Sequence, residues 1–319
     1  MMKVLKRDKL ILVLLSVLPM CIYSQDYLNS ELLDSVVEAN YSYRKNETLK
    51  SIAKQLHLEN TSSEKFQYAV LAKWVVNRMY YDNSASKSQL KKSIRTGQGV
   101  CWQYSEIMDS LSYYCGIEKE YVRGYIKDGI DKKGKIYFEN HAWNVALLDG
   151  EYLMSDVTWS DSGKSKKEKK SNLNFNYLLV SPEEFALTHF PRKKKHLHTS
   201  GTKKCFKSQP IYLGGYWLFE TDDNGLNIDL IYQKDSLCFT VTNASVDIDG
   251  FELYYSSNDE VFECEEYSEA RVVELTSGFQ KYSFDLSNAS EYEGSCTLVI
   301  LYRFNNELRG TSVMEFYIK

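Results

Sequence analysis

The spacing of the apolar residues changes at Gly116, and no other feature of the sequence limits the fold as strongly. Up to Gly116 apolar residues recur every three or four positions, within the stretches 26–58, 63–76 and 101–116. That period is typical of amphipathic helices, and the strongly apolar middle of the second stretch indicates a buried helix. Beyond Gly116 apolar and polar residues alternate, as they do in half-buried strands. Helices followed by antiparallel strands predict an α+β fold.

Three strands are expected after Gly116, covering Tyr121 to Ile126, Ile136 to Leu148 and Tyr152 to Trp159. Between the last two stands Asp149-Gly150, a dipeptide typical of two-residue hairpin turns because both of its positions tolerate positive φ. A turn of this kind fixes the register, so each residue before it has a defined partner after it.

This register brings one histidine close to one aspartate. Counting outward from the turn, Leu148 faces Glu151 and Trp143 faces Asp156, which places His141 diagonally to Asp156 on the same face. Diagonal neighbours lie about 7–8 Å apart at the backbone, close enough for an imidazole and a carboxylate to meet. Aromatic residues flank both polar residues, which favours a His-Asp pair over an unrelated surface histidine and aspartate.

A cysteine stands at the expected start of the third helix. Gly97-Gln98-Gly99 breaks the chain just before Cys101, and the apolar stripe of the helix begins at Cys101 itself. A cysteine attacks as the thiolate, a form that the positive end of a helix and a neighbouring imidazolium both favour. The N–H groups at the helix start are suitable oxyanion donors, and the glycines allow a substrate backbone to approach. Taken alone, the pattern also fits a buried structural cysteine.

In order and spacing these residues resemble the core of the transglutaminase-like superfamily. The motifs that carry the resemblance are Gly99 to Ser105, Gly116-Ile117, Val122 to Tyr125, His141 to Val145 and Asp156 to Trp159. Flanking motifs within 63–82 and 175–191 resemble the branch that includes the kyphoscoliosis peptidase and related cytokinesis proteins. The resemblance extends over residues 49–191.

The resemblance implies a papain-like fold in which the cysteine helix packs on a small antiparallel sheet. Cys101, His141 and Asp156 occupy the catalytic positions of the family, as nucleophile, general base and the residue that orients the histidine. Such a triad serves both the hydrolysis of an amide and the transfer of its acyl group to an amine. The scheme requires no metal and no organic cofactor, and the sequence contains no calcium-loop pattern.

Further candidates for the cleft or the oxyanion hole are Gln98, Trp102, Tyr81 and Trp143. Gln98 precedes the cysteine by only three residues, whereas papain-type enzymes place their oxyanion glutamine farther upstream. Tyr81 stands beside a tight polar turn and is expected to line the cleft. Trp143 is expected to form a wall of the core or the cleft, with packing favoured over substrate contact.

Two lysine-rich stretches, 163–170 and 191–204, are interpreted as exposed loops rather than anion sites, the second as a structureless domain boundary. His196 and His198 lie in the second stretch and would form a metal site only with two more ligands, which nothing in the sequence places. His189 precedes Pro191 and is expected to stabilise the local structure.

The last third of the chain contains short alternating runs separated by turn residues, which predicts a β-sandwich. The expected strands are Asn227 to Tyr232, Leu237 to Val241, Phe251 to Tyr255, Lys281 to Phe284, Thr297 to Phe304 and Thr311 to Ile318. Cys205, Cys238, Cys264 and Cys296 permit three disulfide pairings, among which the sequence does not choose.

The N-terminus has the pattern of a secretory signal peptide. A basic start that includes Lys3 and Arg7 precedes an apolar run from Leu10 to Tyr23, which is shorter than the roughly 20 residues of a spanning helix. Secretion to the periplasm, the cell surface or the medium is therefore expected. Lipid anchoring at Cys21 is the alternative, although Met20 stands where a lipoprotein signal needs a small residue.

The expected domains are a signal peptide (1–24), a helical lead-in (25–62), a transglutaminase-like domain (63–205) and the β-sandwich (206–319). A net charge of -4 spread over 26% charged residues provides no electrostatic field that favours binding to nucleic acid.

The expected function is a secreted peptidase or amidase that acts on protein or peptide amides, including cell-wall peptide. No integral membrane segment is expected after the signal peptide is cleaved. The alternatives are a protein-crosslinking transglutaminase and a binding module that retains the fold without turnover.

Overall fold

The structure is a computed structural model of the 319-residue chain. It describes residues 29–44, 46–59, 61, 63–130 and 135–213, except for the side chain of residue 208. Between residues 231 and 318 it describes the backbone of the strands and, in addition, the side chain of Phe251. The predicted signal peptide and Cys21 lie outside the described residues.

Five α-helices precede the change of period among the described residues, and two of their ends show typical capping chemistry. Ser63 caps the third helix by accepting a hydrogen bond from the Phe66 N–H at 3.2 Å. The fifth helix ends before Gly116, which has a φ of 77°, a value that suits glycine. The helices are α1 (Ser30–Asn40), α2 (Leu49–Leu56), α3 (Glu64–Arg78), α4 (Leu90–Thr96) and α5 (Cys101–Tyr114).

These helices enclose the main core of the domain. Helix α3 is buried almost on all sides, as its strongly apolar middle predicts, and every residue from 67 to 76 is buried. Leu33 of α1, Ile52 of α2 and Leu111 of α5 pack into the same cluster, which also includes Leu148 from the sheet. The apolar faces of the helices and of the sheet therefore share one core.

A five-stranded sheet follows, with the strand order β6-β5-β4-β3-β7. Its strands are β3 (Glu118–Ile130), β4 (Ile136–Leu148), β5 (Glu151–Ser155), β6 (Leu178–Val180) and β7 (His189–Pro191). Two short strands before α5, β1 (Tyr80–Tyr81) and β2 (Gln98–Gly99), pair in parallel. After the sheet strands come α6 (Pro182–Phe185), α7 (Lys203–Ser208) and β8 (Ile211–Tyr212).

The hairpin of β4 and β5 has the predicted turn and register. Asp149 and Gly150 have φ values of 51° and 87°, and the pairing runs from Leu148 with Glu151 to Asn144 with Ser155. The predicted continuation of β5 to Trp159 is wrong, because the strand ends at Ser155.

The side chain of Asp156 accounts for this early end. Its Oδ1 accepts hydrogen bonds from the N–H groups of Thr158 at 2.9 Å and Trp159 at 3.2 Å. An aspartate that bonds the backbone two and three residues ahead turns the chain away from the ladder.

Beyond residue 231 the described backbone consists of strands in two antiparallel arrangements. One has the order β13-β14-β10-β9, and the other has the order β12-β11-β15-β16-β8. The packing of the two sheets into a sandwich stays a prediction, as does any disulfide that involves Cys205. The bounds are β9 (Ile231–Gln233), β10 (Ser236–Thr242), β11 (Asp247–Ser256), β12 (Tyr267–Glu269), β13 (Arg271–Thr276), β14 (Phe279–Asp285), β15 (Gly294–Phe304) and β16 (Glu307–Ile318).

The described chain divides into two compact units that interleave along the sequence. The first comprises the described residues up to Arg123, His141–Phe185 and Lys193–His198, and the second comprises Gly124–Asn140, Ala186–Arg192 and the described residues from Thr199 onward. The domain boundaries at 62 and 205 stay predictions.

Within the part of the chain that the structure describes, no helix has both the length and the apolar content needed to cross a bilayer.

A buried ion pair attaches α1 to α3 in the first unit. The Lys73 side chain is fully buried, and its Nζ lies 3.2 Å from Oδ2 of Asp34. It also donates to the hydroxyl of Ser30 and to the carbonyl of Ser171. Asn77 donates to Oδ1 of Asp34 at 2.6 Å. The charges are therefore compensated and hydrogen-bonded, as a buried pair requires.

We predict that Lys73→Ala lowers the free energy of unfolding by about 3–5 kcal/mol, because it leaves Asp34 buried without its counter-charge. Urea denaturation followed by circular dichroism measures the change. The control is Lys65→Ala, which breaks the exposed Lys65–Glu151 pair and should cost less than about 1 kcal/mol. Equal effects of the two variants would contradict a stabilising role of the buried pair.

Candidate active site

His141 and Asp156 form a buried pair at the start of the hairpin ladder. Nε2 of His141 lies 2.6 Å from Oδ2 of Asp156. His141 is 8% exposed and Asp156 is fully buried. The backbone also holds the aspartate in place, since its N–H donates to the carbonyl of Tyr177 at 2.8 Å.

Cys101 is the third member of this cluster. It is the first residue of α5, it is partly exposed, and it carries a free thiol. Its side chain is close enough to His141 to contribute, by hydrogen bonding and by charge, to raising the pKa of the imidazole. Because Nε2 of the ring faces Asp156, Nδ1 is the nitrogen left for the sulfur. The structure thus brings together the three residues that the sequence places 40 and 15 positions apart.

The charges of the cluster determine the protonation state of the histidine. Burial lowers the pKa of His141, but the negative charge and the hydrogen bond of Asp156 outweigh it, with a further contribution from Cys101, and raise this pKa to about 10. At neutral pH the ring is therefore an imidazolium, the partner that favours a thiolate. In this state the ring already holds the proton that a general base would otherwise have to remove.

A polar side chain inside α5 fixes the segment that precedes the nucleophile. Gln103 is fully buried, and its Oε1 accepts a hydrogen bond from the Val100 N–H at 2.7 Å. Its Nε2 donates to the carbonyl of Ala85 at 2.8 Å. Gln103 therefore connects the start of α5 to the loop beside it. This role is not among the predictions from the sequence, although Gln103 is the third residue of the helix, where glutamine often bonds the N-cap N–H.

A second polar contact connects α5 to the strand that carries the histidine. The buried side chain of Asn144 in β4 donates from Nδ2 to the carbonyl of Ser105 in α5, at 3.0 Å. The nucleophile helix and the histidine strand are thus held together close to the reacting groups. This contact is not among the predictions from the sequence either, since only the alternation along β4 indicates that Asn144 faces away from Trp143.

The model of the transglutaminase-like superfamily matches residues 50–159 of the chain. Residues 50–159 form a transglutaminase-like domain. All three members of the Cys-His-Asp cluster fall within the match, and the family predicted from the motifs is confirmed.

Relatives of the transglutaminase-like domain lie in the branch that the flanking motifs indicate. The kyphoscoliosis peptidase of Mus musculus is 25% identical over 131 residues, which cover 38% of this chain and 20% of that protein. Cytokinesis protein 3 of Schizosaccharomyces pombe is 32% identical over 108 residues, which cover 31% of this chain and 11% of that protein. The chain therefore spans a fifth or less of the length of these curated relatives.

Solved structures of low overall similarity were also found. A candidate cysteine protease of Cytophaga hutchinsonii is 17% identical, with a TM-score of 0.29, and the match covers 49% of this chain and 48% of that one. A candidate protease of Parabacteroides distasonis is 10% identical, with a TM-score of 0.28, and the match covers 82% of this chain and 53% of that one.

The glycines before the nucleophile serve the packing of the transglutaminase-like domain itself. Gly97 has a φ of 78°, and a Cβ there would lie 2.7 Å from the carbonyl oxygen of Arg78. At Gly99 a Cβ would lie 2.6 Å from the terminal methyl of Met79 and 3.1 Å from the Cβ of Gln103. Gly97 therefore requires glycine irrespective of any substrate, whereas at Gly99 an added Cβ would displace the flexible end of the Met79 side chain and press on Gln103.

The other residues predicted to lie in the cleft or the oxyanion hole do not share one environment. Gln98 donates from Nε2 to Oδ2 of Asp82 at 2.9 Å, so that its amide is held at the β1–β2 pair. Trp102 donates from its indole nitrogen to the carbonyl of Ser86 at 3.2 Å, and Tyr81 is 49% exposed. Trp143 is 1% exposed in a small apolar cluster on the sheet, which places it in the core.

Trp159 contributes an aromatic contact to the histidine. Its ring centroid lies 5.5 Å from that of His141, and it meets the Tyr177 ring edge to face at 5.0 Å. The aromatic residue that follows the aspartate therefore helps to set the orientation of the imidazole.

His189, His196 and His198 contact other polar or aromatic side chains. Nδ1 of the buried His189 lies 2.7 Å from the hydroxyl of Thr188, in keeping with a structural role. His196 and His198 both meet Oε2 of Glu120, and His198 stacks on Tyr152 with 4.1 Å between ring centroids.

This contact corrects the interpretation of 191–204 as structureless. Residues 194–196 form a 3-10 turn, and the two histidines hold the segment against the start of β3. Periodicity did not reveal this because Glu120 is more than 70 positions away in the sequence.

We predict that Asp156→Asn reduces stability most below about pH 6.5. The folded pKa of His141, about 10, lies above the value of about 6.5 for an unfolded histidine. The stabilisation by the pair is therefore complete below about pH 6.5 and is lost as the pH rises through about 10. Urea unfolding of wild type and variant at several pH values should show a difference that shrinks over this range.

The control is Asp109→Asn, which removes the partner of Lys119. The Asp109 carboxylate is not part of the histidine cluster, so the effect of the control should not follow the titration of His141 over this range. Asparagine at position 156 keeps an Oδ1 acceptor for the turn at Thr158 and Trp159. An effect of Asp156→Asn that does not change with pH would contradict the protonated pair.

Proposed function

We propose that the transglutaminase-like domain is a cysteine acyl-transfer enzyme that hydrolyses protein or peptide amides. The observation that carries the proposal is the Cys101–His141–Asp156 cluster, in which the partly exposed Cys101 side chain lies beside the imidazole and Nε2 of the imidazole lies 2.6 Å from the buried carboxylate. These are the parts of a thiolate–imidazolium nucleophile whose orientation is fixed by a third group.

In the first step the sulfur of Cys101 attacks the carbonyl carbon of the amide. A C–S bond forms, and the carbonyl electron pair moves onto oxygen. The N–H groups of Cys101 and Trp102, which have no intrahelical partner at the start of α5, are the proposed oxyanion donors. His141 then gives its proton to the leaving nitrogen, the C–N bond breaks, and a thioester remains on Cys101.

The second step decides between hydrolysis and crosslinking. In hydrolysis, neutral His141 removes a proton from a water molecule, whose oxygen attacks the thioester and releases a carboxylic acid and the thiolate. A lysine amine that attacks in place of water would form a new amide, which is the transglutaminase outcome. The name of the kyphoscoliosis peptidase, a relative over the same region, supports the choice of hydrolysis.

The proposal includes an extracytoplasmic location. The support is the predicted signal peptide at 1–24, with its basic start and its short apolar run. Protein or peptide on the cell surface, including cell-wall peptide, would then be the accessible substrate.

We predict that Cys101→Ala abolishes turnover, by about three orders of magnitude or more, because the acyl group has no other acceptor. Incubation with labelled casein and a biotinylated amine, followed by mass spectrometry, separates the outcomes. New peptide termini indicate hydrolysis, and biotin on glutamine side chains indicates crosslinking. Wild type that gives neither product, and that equals Cys101→Ala in thiol labelling, would support the binding-module alternative and end the proposal.

Cys115→Ala is the matched control. Burial raises the pKa of the Cys115 thiol to about 11, and its sulfur lies 3.8 Å from the carbonyl oxygen of Ala53. This cysteine therefore stays a neutral thiol at pH 7–8, and its removal should leave both turnover and labelling of Cys101 unchanged.

A further inference from the structure

Tyr104 connects the nucleophile helix to the segment that carries Asp156. It lies one turn after Cys101 in α5, and residues three apart are neighbours on the surface of a helix. Tyr104 is fully buried, and its hydroxyl donates a hydrogen bond to Oδ2 of Asp161 at 3.1 Å. Asp161 follows Asp156 by five residues. One polar contact therefore joins the chain segment of the nucleophile to that of the catalytic aspartate.

The segment between the two aspartates is a tight turn with its own hydrogen bonds. The Ser160 N–H donates to the carbonyl oxygen of Asp156 at 2.9 Å, and the Ser160 hydroxyl donates to the same oxygen at 2.8 Å. The Asp161 N–H donates to the carbonyl of Thr158 at 3.3 Å. Because these bonds fix the shape of the turn, a displacement of Asp161 would displace Asp156 as well.

The carboxylate of Asp161 is anchored through its other oxygen too. Oδ1 accepts hydrogen bonds from the hydroxyl of Ser171 and from the N–H of Lys164, the latter at 3.3 Å. The N–H of Ser171 donates in turn to Oδ1 of Asn77 in α3, at 2.9 Å. Asp161 is thus attached to the central buried helix as well as to Tyr104, so it offers the tyrosine a fixed point.

These contacts close a ring of short, rigid segments. Helix α5 sets the position of Cys101 relative to Tyr104. The tight turn sets the position of Asp161 relative to Asp156. Asp156 then meets His141, with Nε2 of the imidazole 2.6 Å from Oδ2 of the carboxylate. Since the ring is closed, the Tyr104–Asp161 bond limits how far the sulfur can move from the imidazole.

We propose that Tyr104 and Asp161 are positioning residues, whose hydrogen bond places the Cys101 sulfur beside the imidazole. Both residues act through the orientation of the nucleophile helix and do not touch the substrate. A displacement of about 1 Å in a reacting group can lower a rate about a hundredfold, so a contact that prevents it matters for the chemistry. This inference rests on the proposed function, since it concerns the same nucleophile.

The test is the pH dependence of the alkylation of Cys101 by iodoacetamide, measured by mass spectrometry of the labelled peptide. At about pH 10 an accessible cysteine is largely thiolate, whereas at about pH 6.5 it needs a positive partner to become one. Tyr104→Phe removes only the hydroxyl. We expect this variant to lower the ratio of the rate at the lower pH to the rate at the higher pH about fivefold, because a displaced sulfur gains less from the imidazolium.

Tyr41→Phe is the matched control. The Tyr41 hydroxyl also donates to a carboxylate, Oε2 of Glu47 at 2.6 Å, in the segment between α1 and α2. The control should therefore lower the free energy of unfolding, as Tyr104→Phe does, and leave the ratio of rates unchanged. A merely structural role of Tyr104 would lower stability in both variants and change the ratio in neither.

Asp161→Ala removes the bond from its other side and provides a reading if Tyr104→Phe does not fold. It should lower the ratio of rates as well. The double variant should lower the ratio no further than the more severe single variant, because residues that act through one contact are not additive. Single effects that multiply in the double variant, or an Asp161→Ala ratio equal to that of wild type, would overturn the pair.

The results separate the two proposals. If iodoacetamide labels Cys101 of the wild type no faster than Cys115 at the lower pH, the proposed function fails. If Cys101 is reactive but Tyr104→Phe and Tyr41→Phe give the same ratio of rates, only the positioning contact is overturned.

Discussion

The buried carboxylate of Asp156 is the group on which the arrangement of the site depends. An ionised carboxylate is costly to remove from water unless hydrogen bonds and an opposite charge replace its solvation. Here Oδ1 accepts the N–H groups of Thr158 and Trp159, and Oδ2 meets the imidazole of His141. Both oxygens are therefore satisfied, one by a local turn and the other by a residue on the neighbouring strand. The same carboxylate ends β5, orients the histidine and keeps it protonated.

The nucleophile reaches this pair through contacts that are not themselves part of the chemistry. Helix α5 presents Cys101 at its N-terminus, where the N–H groups and the helix dipole favour negative charge. Gln103 and Asn144 then fix the helix to the preceding loop and to the histidine strand. Because these bonds are buried, a displaced helix would leave polar groups unpaired, which limits the positions that the sulfur can occupy. A catalytic cluster needs this rigidity, since small displacements of reacting groups lower rates strongly.

Positive potential is concentrated at the cysteine. The N-terminus of α5 and the protonated imidazole of His141 both lie beside the Cys101 side chain. In the proposed reaction this potential would stabilise the thiolate and the negative charge that develops on the carbonyl oxygen.

The sequence by itself determined the features that arise between close neighbours in the chain. The helical period up to Gly116, the positive φ at Asp149 and Gly150 and the register from Leu148 outward follow from side-chain size and local backbone preference. Since a hairpin register extends along both strands, it also predicted that His141 and Asp156 would meet, and the motif spacing indicated the superfamily.

Only the tertiary structure decided the contacts between segments that no period connects. It showed that β5 ends at Ser155, that Asn144 reaches Ser105, and that His196 and His198 converge on Glu120. The physical reason is that a residue pattern records which face of an element is buried, whereas polar partners are chosen by the packing of whole elements against one another. That packing depends on the apolar surface area that the whole core buries, so no short stretch of the chain determines it.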